Sequence, residues 1–165
     1  MTIHWEFIAE RLRDELAAYG GLLRLFEDQQ VALFNRNADT VLFLAGEIEM
    51  HARSLAESRT HREVAVASFA ESQGLPTTTS LRSMIPLIEV DARPLMDALI
   101  KEVNFLLHRV RRTSRHNHTL LSRAVESHQE TIQQLRPHAF MKTYSPAGVI
   151  SVASSSPTAT LCAAG

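Results

Sequence analysis

The stretch 91-DARPLMDALIKEVNFLLHRVRRTSRHNHTLLSRAVESHQETIQQLR-136 decides the fold. It contains no Gly, and its only Pro, Pro94, falls in the first turn of the helix it predicts. Helices accept Pro there because the first amides have no intrahelical partner. At about 1.5 Å per residue the stretch makes a rod on the order of 65 Å long. Its apolar and small residues return every seven: Met96, Leu99, Val103, Leu106, Val110, Thr113, Asn117, Leu120, Ala124, then Ser127 or His128, Ile132 and Leu135. Such 3-4 spacing is the seam of a helix that lies along other helices. Pro137 ends it, since Pro disfavours helical geometry in the preceding residue. A helix this long is unstable alone in water, so the earlier chain must supply partners.

Two such partners are legible. From Thr2, a candidate N-cap, to about Asn35, the apolar stripe Trp5, Ile8, Leu12, Tyr19, Leu22, Phe26 and Leu33 predicts a first helix. Gly20-Gly21 interrupts it at about 1 kcal/mol each relative to Ala. Close packing against a neighbouring helix is the reading of that pair, with a hinge as the alternative. After a polar break at 35–39, Asp39 is the expected N-cap of a second helix running from Thr40 to about Gln73. Its seam is firm at Val41, Leu44, Ile48 and Leu55. It weakens around Arg59, His61 and Arg62 and recovers at Val64, Ala65, Val66 and Phe69. Gly74 and Pro76 mark its end, and so short a break between two long helices implies an antiparallel hairpin. In the connector 75–90, Thr77 to Ser80 can cap a short turn through Leu81, Met84 and Ile85 that Pro86 ends. The last long helix exceeds the other two by roughly ten residues, so its end, around Val125 to Leu135, should overhang them. Beyond Pro137 the composition turns to Ser, Ala and Thr, and 151–165 is expected to be a disordered tail.

Composition narrows the function. Of 165 residues, 45% are hydrophobic and 21% charged, as in an ordinary globular domain, and the net charge of -1 gives no drive towards nucleic acid or membrane. One cysteine, Cys162, excludes an internal disulfide and a cysteine-rich metal site. No apolar run approaches a membrane span, and Trp5, Glu6, Glu10 and Arg11 belong to an amphipathic helix rather than a signal peptide, so a cytoplasmic protein is expected.

No catalytic motif is present: no Gly-rich phosphate loop, no Gly-x-Ser-x-Gly elbow and no His-Glu-x-x-His signature. Glu49 with His51, Glu126 with His128, and His116 with His118 each diverge on a helix, so neither a di-iron site nor a metal pair is read. Neither catalytic residue nor cofactor is expected. Arg109, Arg111, Arg112 and Arg115, between His108 and His118, are read as a solvated face in preference to a nucleic-acid contact. The terminal Cys162-Ala163-Ala164-Gly165 matches a prenylation box only in outline, without a polybasic stretch before it. Asn117 on the seam is read as a register-setting polar residue.

From Arg115 to Gly148 the sequence resembles the C-terminal half of the FlgN-type flagellar type III export chaperones. The resemblance rests on Asn117 followed by Leu120-Leu121, then Leu135-Arg136-Pro137-His138, Thr143-Tyr144 and Gly148. A looser match links Glu27–Leu33 to Asp39, and Arg62 through Phe69 to Gly74. The resemblance implies a cofactor-free, all-α cytosolic chaperone that binds C-terminal helical segments of hook–filament junction proteins, the hook-associated proteins. It also implies delivery to the membrane export gate, with Tyr144 docking on the gate's cytoplasmic domain. The expected docking set for the junction protein is Asn117, Leu121, Val125, Ile132 and Leu135. The expected organisation is an antiparallel bundle of three long helices over 1–137, a gate-docking segment at 138–150 and a disordered tail at 151–165. Two other classes compete: a histidine phosphotransfer bundle with His51 or His61 as acceptor, and a structural coiled-coil dimer.

Overall fold

The computed structural model describes residues 5–136 in full and the backbone of 140–144 and 150–154. The chain divides into two units, Met1–Thr119 and Leu120–Gly165. Among the described residues three helices are long: α1 (Trp5–Phe34), α2 (Ala38–Ser72) and α4 (Arg93–Leu135), with a single turn, α3 (Leu81–Met84), between the last two. The candidate cap Thr2 lies outside the described residues.

Local chemistry sets the helix ends. At the end of α1, Arg36 takes a left-handed φ of 53°. Its N–H donates to the Leu33 carbonyl, and the Asn37 N–H donates to the Ala32 carbonyl. This reversed pairing satisfies carbonyls that the helix leaves open. Asn37 then serves the next helix, its Oδ1 accepting from the Thr40 N–H at 3.1 Å. Asn37 is therefore the N-cap of α2, and Asp39 stands in the first turn instead. Both residue types cap well, and the αL turn at Arg36 brings Asn37 into position first. At the other end of α2, Gly74 has a φ of 68°, its N–H donates to the Glu71 carbonyl, and the Leu75 N–H donates to the Ala70 carbonyl. Here the left-handed position is glycine, as the sequence suggested.

The turn at 35–37 folds α2 back along α1. Three widely spaced pairs fix the antiparallel register. Ala32 clusters with Val41 and Leu44, Gly21 faces the His51 ring, and Glu15 meets Arg62. Gly20, by contrast, is exposed, and a Cβ placed there would meet nothing within 4 Å. The close-packing expectation therefore holds for no neighbour of Gly20, and α1 passes through the glycine pair without a break.

The main core joins Ile8, Leu12, Tyr19, Leu22 and Leu23 of α1 to Leu55, Ala65, Val66, Phe69 and Ala70 of α2 and Met96, Leu99, Val103 and Val110 of α4. The connector adds Leu81, Met84, Ile88 and Ala92 to it. Ser80 caps α3 as expected, and α3 ends at Met84, just before Pro86, where a 3-10 turn at Ile85–Leu87 takes over with Pro86 near its start. Pro is tolerated there because that N–H has no helical acceptor. Arg93 fastens the connector, donating from Nε to the Ile88 carbonyl and from its terminal nitrogen to the Pro86 carbonyl.

In the second unit, β1 (Phe140–Tyr144) pairs antiparallel with β2 (Ile150–Ser154), with Tyr144 opposite Ile150. Residues 151–154, expected to be unstructured, are therefore strand. Ile150 and Val152 alternate with small residues, a local pattern that favours pairing and that composition alone hides. Residues 155–165 of the expected tail lie outside the described residues.

Candidate functional site

The seam of α1 is fully occupied only when its polar members are included. Ile8, Leu12, Glu15, Tyr19, Leu22, Phe26, Gln29 and Leu33 follow one another at 3-4 spacing. Glu15 and Gln29 are buried there, and both look across to another helix. Glu15, with 0% of its side chain exposed, accepts from Arg62 Nε at 2.9 Å, and its second oxygen has no partner. This pair explains the weak stretch of the α2 seam. Arg62 stands where an apolar residue would otherwise be, because the facing residue is a carboxylate. Tyr19 lies one turn further on. Burial pushes its phenol pKa up, with Glu15 adding to the rise and Arg59, Arg62 and Arg111 opposing it.

Gln29 has its counterpart on α4. Asn117, 3% exposed, donates from Nδ2 to the Phe26 carbonyl at 2.7 Å and to Gln29 Oε1 at 3.2 Å. Two peripheral contacts flank this one: Arg109 with Glu27 at 3.3 Å, and Gln30 with the His116 ring at 2.9 Å. Asn117 therefore has the geometry of a register residue. Its amide is engaged by α1, and it does not belong to the exposed face that holds the other four residues of the expected docking set.

That face begins at once beyond it. Leu121, Val125, Ile132 and Leu135 are all exposed, Leu135 at 76%. From Arg123 to Arg136 every residue is exposed. At about 100° per residue the four lie within about 80° of the Asn117 direction. With His128 they run at spacings of four and three, so the apolar seam continues past the point where α1 covers it. An apolar helix stripe of this kind is suited to receive an amphipathic helix. Sequence reading placed these four on one apolar stripe. It missed Glu15 and Gln29, although their 3-4 spacing within the α1 stripe was a usable signal.

Tyr144 is the last residue of β1. His51 and His61 are both exposed on α2. Among the described residues, no three His, Cys, Asp or Glu side chains gather as a metal site would require, and no helix is long and apolar enough to cross a membrane.

The family model described as "FlgN protein" matches residues 1–151. No curated protein and no solved structure matches the chain. A match over so much of a chain built as a helical bundle makes it a member of the FlgN family, flagellar chaperones and not a family of enzymes.

Proposed function

We propose that this protein is a cytoplasmic flagellar export chaperone that holds the C-terminal helical segment of a hook–filament junction protein along the exposed seam of α4. The three long helices form an up-down-up bundle over about 1–137, and the segment 138–150 carries the contact to the export gate through Tyr144. The observation that carries this reading is the run Leu121, Val125, Ile132 and Leu135, exposed and in line along α4 with the buried Asn117. Asn117 anchors α4, and the four apolar residues beyond it take the cargo.

Full burial of one Leu or Ile contributes about 1.5–3 kcal/mol. Ile132→Asp or Leu135→Ala should therefore weaken binding of a junction-protein C-terminal peptide about tenfold or more in calorimetry. These residues are exposed in the free protein, so its melting temperature should not change. Unaltered affinity in both variants would move the site off α4. Tyr offers a large, rigid contact with few rotatable bonds. Tyr144→Ala should accordingly keep peptide affinity and lose binding to the cytoplasmic domain of the gate. Gate binding that survives the change would assign delivery to another residue.

A further inference from the structure

We propose that the outward face of α4 between His108 and His118 is a second docking surface, fitted to an acidic helical segment of a partner protein. Charge is segregated in this chain although its sum is near zero. α1 holds six acids and three arginines, and α2 the same. α4 has no acid between Glu102 and Glu126, a span that carries five arginines and three histidines. The fold sorts these further. Arg109 pairs with Glu27 and stacks over the Phe105 ring, so it is committed to the bundle. Arg111, Arg112 and Arg115 are exposed and make no ion pair among the described residues. Arg112, Arg115 and His108 lie about 140° to 180° around the helix from Asn117, opposite the core, and Arg111 flanks them at about 120°, its charge within reach of Tyr19. They therefore lie on one solvated face, as the sequence suggested.

An acidic helix is the occupant that fits. The basic positions recur at about one helical turn, the spacing of a carboxylate ladder at i, i+3 and i+4 on a second helix. Guanidinium groups hold carboxylates in a fixed fork, which favours a specific protein surface. A nucleic acid fits less well, because the same molecule presents acid-rich α1 and α2 to a polyanion and the stripe holds no Phe, Tyr or Trp on which bases could stack. A membrane fits less well too, since the stripe has no apolar wedge to insert. The residues of this surface are not those proposed for the cargo, and its test needs no cargo.

The probe is a labelled helical peptide of about 21 residues with Glu along one face, titrated with the whole chain at about 50 and about 300 mM NaCl. Binding should be measurable at low salt and fall about tenfold at high salt. Arg111→Glu/Arg112→Glu/Arg115→Glu should weaken it a further tenfold or so. Arg13→Glu/Arg24→Glu/Arg53→Glu, a control of equal net charge on the other helices, should change it by no more than about twofold. Should the reversal variant lose helix content, Arg111→Gln/Arg112→Gln/Arg115→Gln replaces it and should still weaken binding about fivefold. Equal losses in stripe and control variants would reduce the effect to net charge and overturn the proposal. A scrambled peptide of the same composition binding as well as the helix would also overturn it. So would tighter binding to a short RNA, a short DNA duplex or phosphatidylserine vesicles than to the peptide.

Discussion

Removing one partner of the Glu15–Arg62 pair should be among the costliest single changes in the bundle. Glu15 is fully buried, its only ion-pair partner among the described residues is Arg62, and its second oxygen already lacks a hydrogen bond. Arg62→Met deletes the cation and leaves a carboxylate with nothing to compensate its desolvation. Breaking a buried pair in this way costs about 3–5 kcal/mol. Arg62 is 21% exposed, so water reaches one side of the pair. The lower end, about 2–3 kcal/mol, is therefore the expected loss. With a urea m value of about 2 kcal/mol/M for a chain of this size, the midpoint followed by circular dichroism should fall by about 1–1.5 M. Glu15→Met/Arg62→Met replaces both groups by apolar side chains of similar length. It should recover most of that loss and be more stable than Arg62→Met, because the desolvation cost disappears with the charge. A midpoint shift below about 0.3 M for Arg62→Met would refute the reasoning. So would a double variant less stable than the single one, which would show that the unpaired Glu15 carboxylate carries no desolvation cost.

Two further outcomes follow from the helices themselves. Gly20→Ala places a methyl where nothing lies within 4 Å, so the gain in helix propensity is not opposed by a clash. It should stabilise the protein by about 1 kcal/mol in the same urea assay, and a lower midpoint would mean that the glycine is required there. Tyr19 concerns pH. Its folded-state pKa is raised, chiefly by burial, so its contribution is fully present below the unfolded value of about 10 and is lost as pH rises through the folded value. Stability should drop above about pH 10, and Tyr19→Phe should flatten that drop while leaving the profile near pH 7 unchanged. An identical alkaline slope in the variant would assign the loss to other groups.

The sequence alone determined the helices and their breaks. All of these depend on near neighbours: a seven-residue recurrence, Gly74 in a left-handed position, Pro94 in a first turn and Pro137 after a last one. The same pattern showed Leu121, Val125, Ile132 and Leu135 to be apolar without saying where their cover stops. Only the tertiary structure decided that. Asn117 is held by Phe26 and Gln29, 91 and 88 residues away, and from Arg123 onward every described residue of α4 is exposed. The burial of Glu15 likewise depends on Arg62, 47 residues on, since a lone carboxylate would not stay in the seam. Asn37 displaced Asp39 as the cap because the backbone of Arg36 turned first, and Ser151–Ser154 became strand because β1 lies beside them. The unpaired arginines belong with these. Whether a charged helix face is free or paired depends on where the acids of the other helices lie, and among the described residues the fold placed only Glu27 in an ion pair with these arginines, at Arg109.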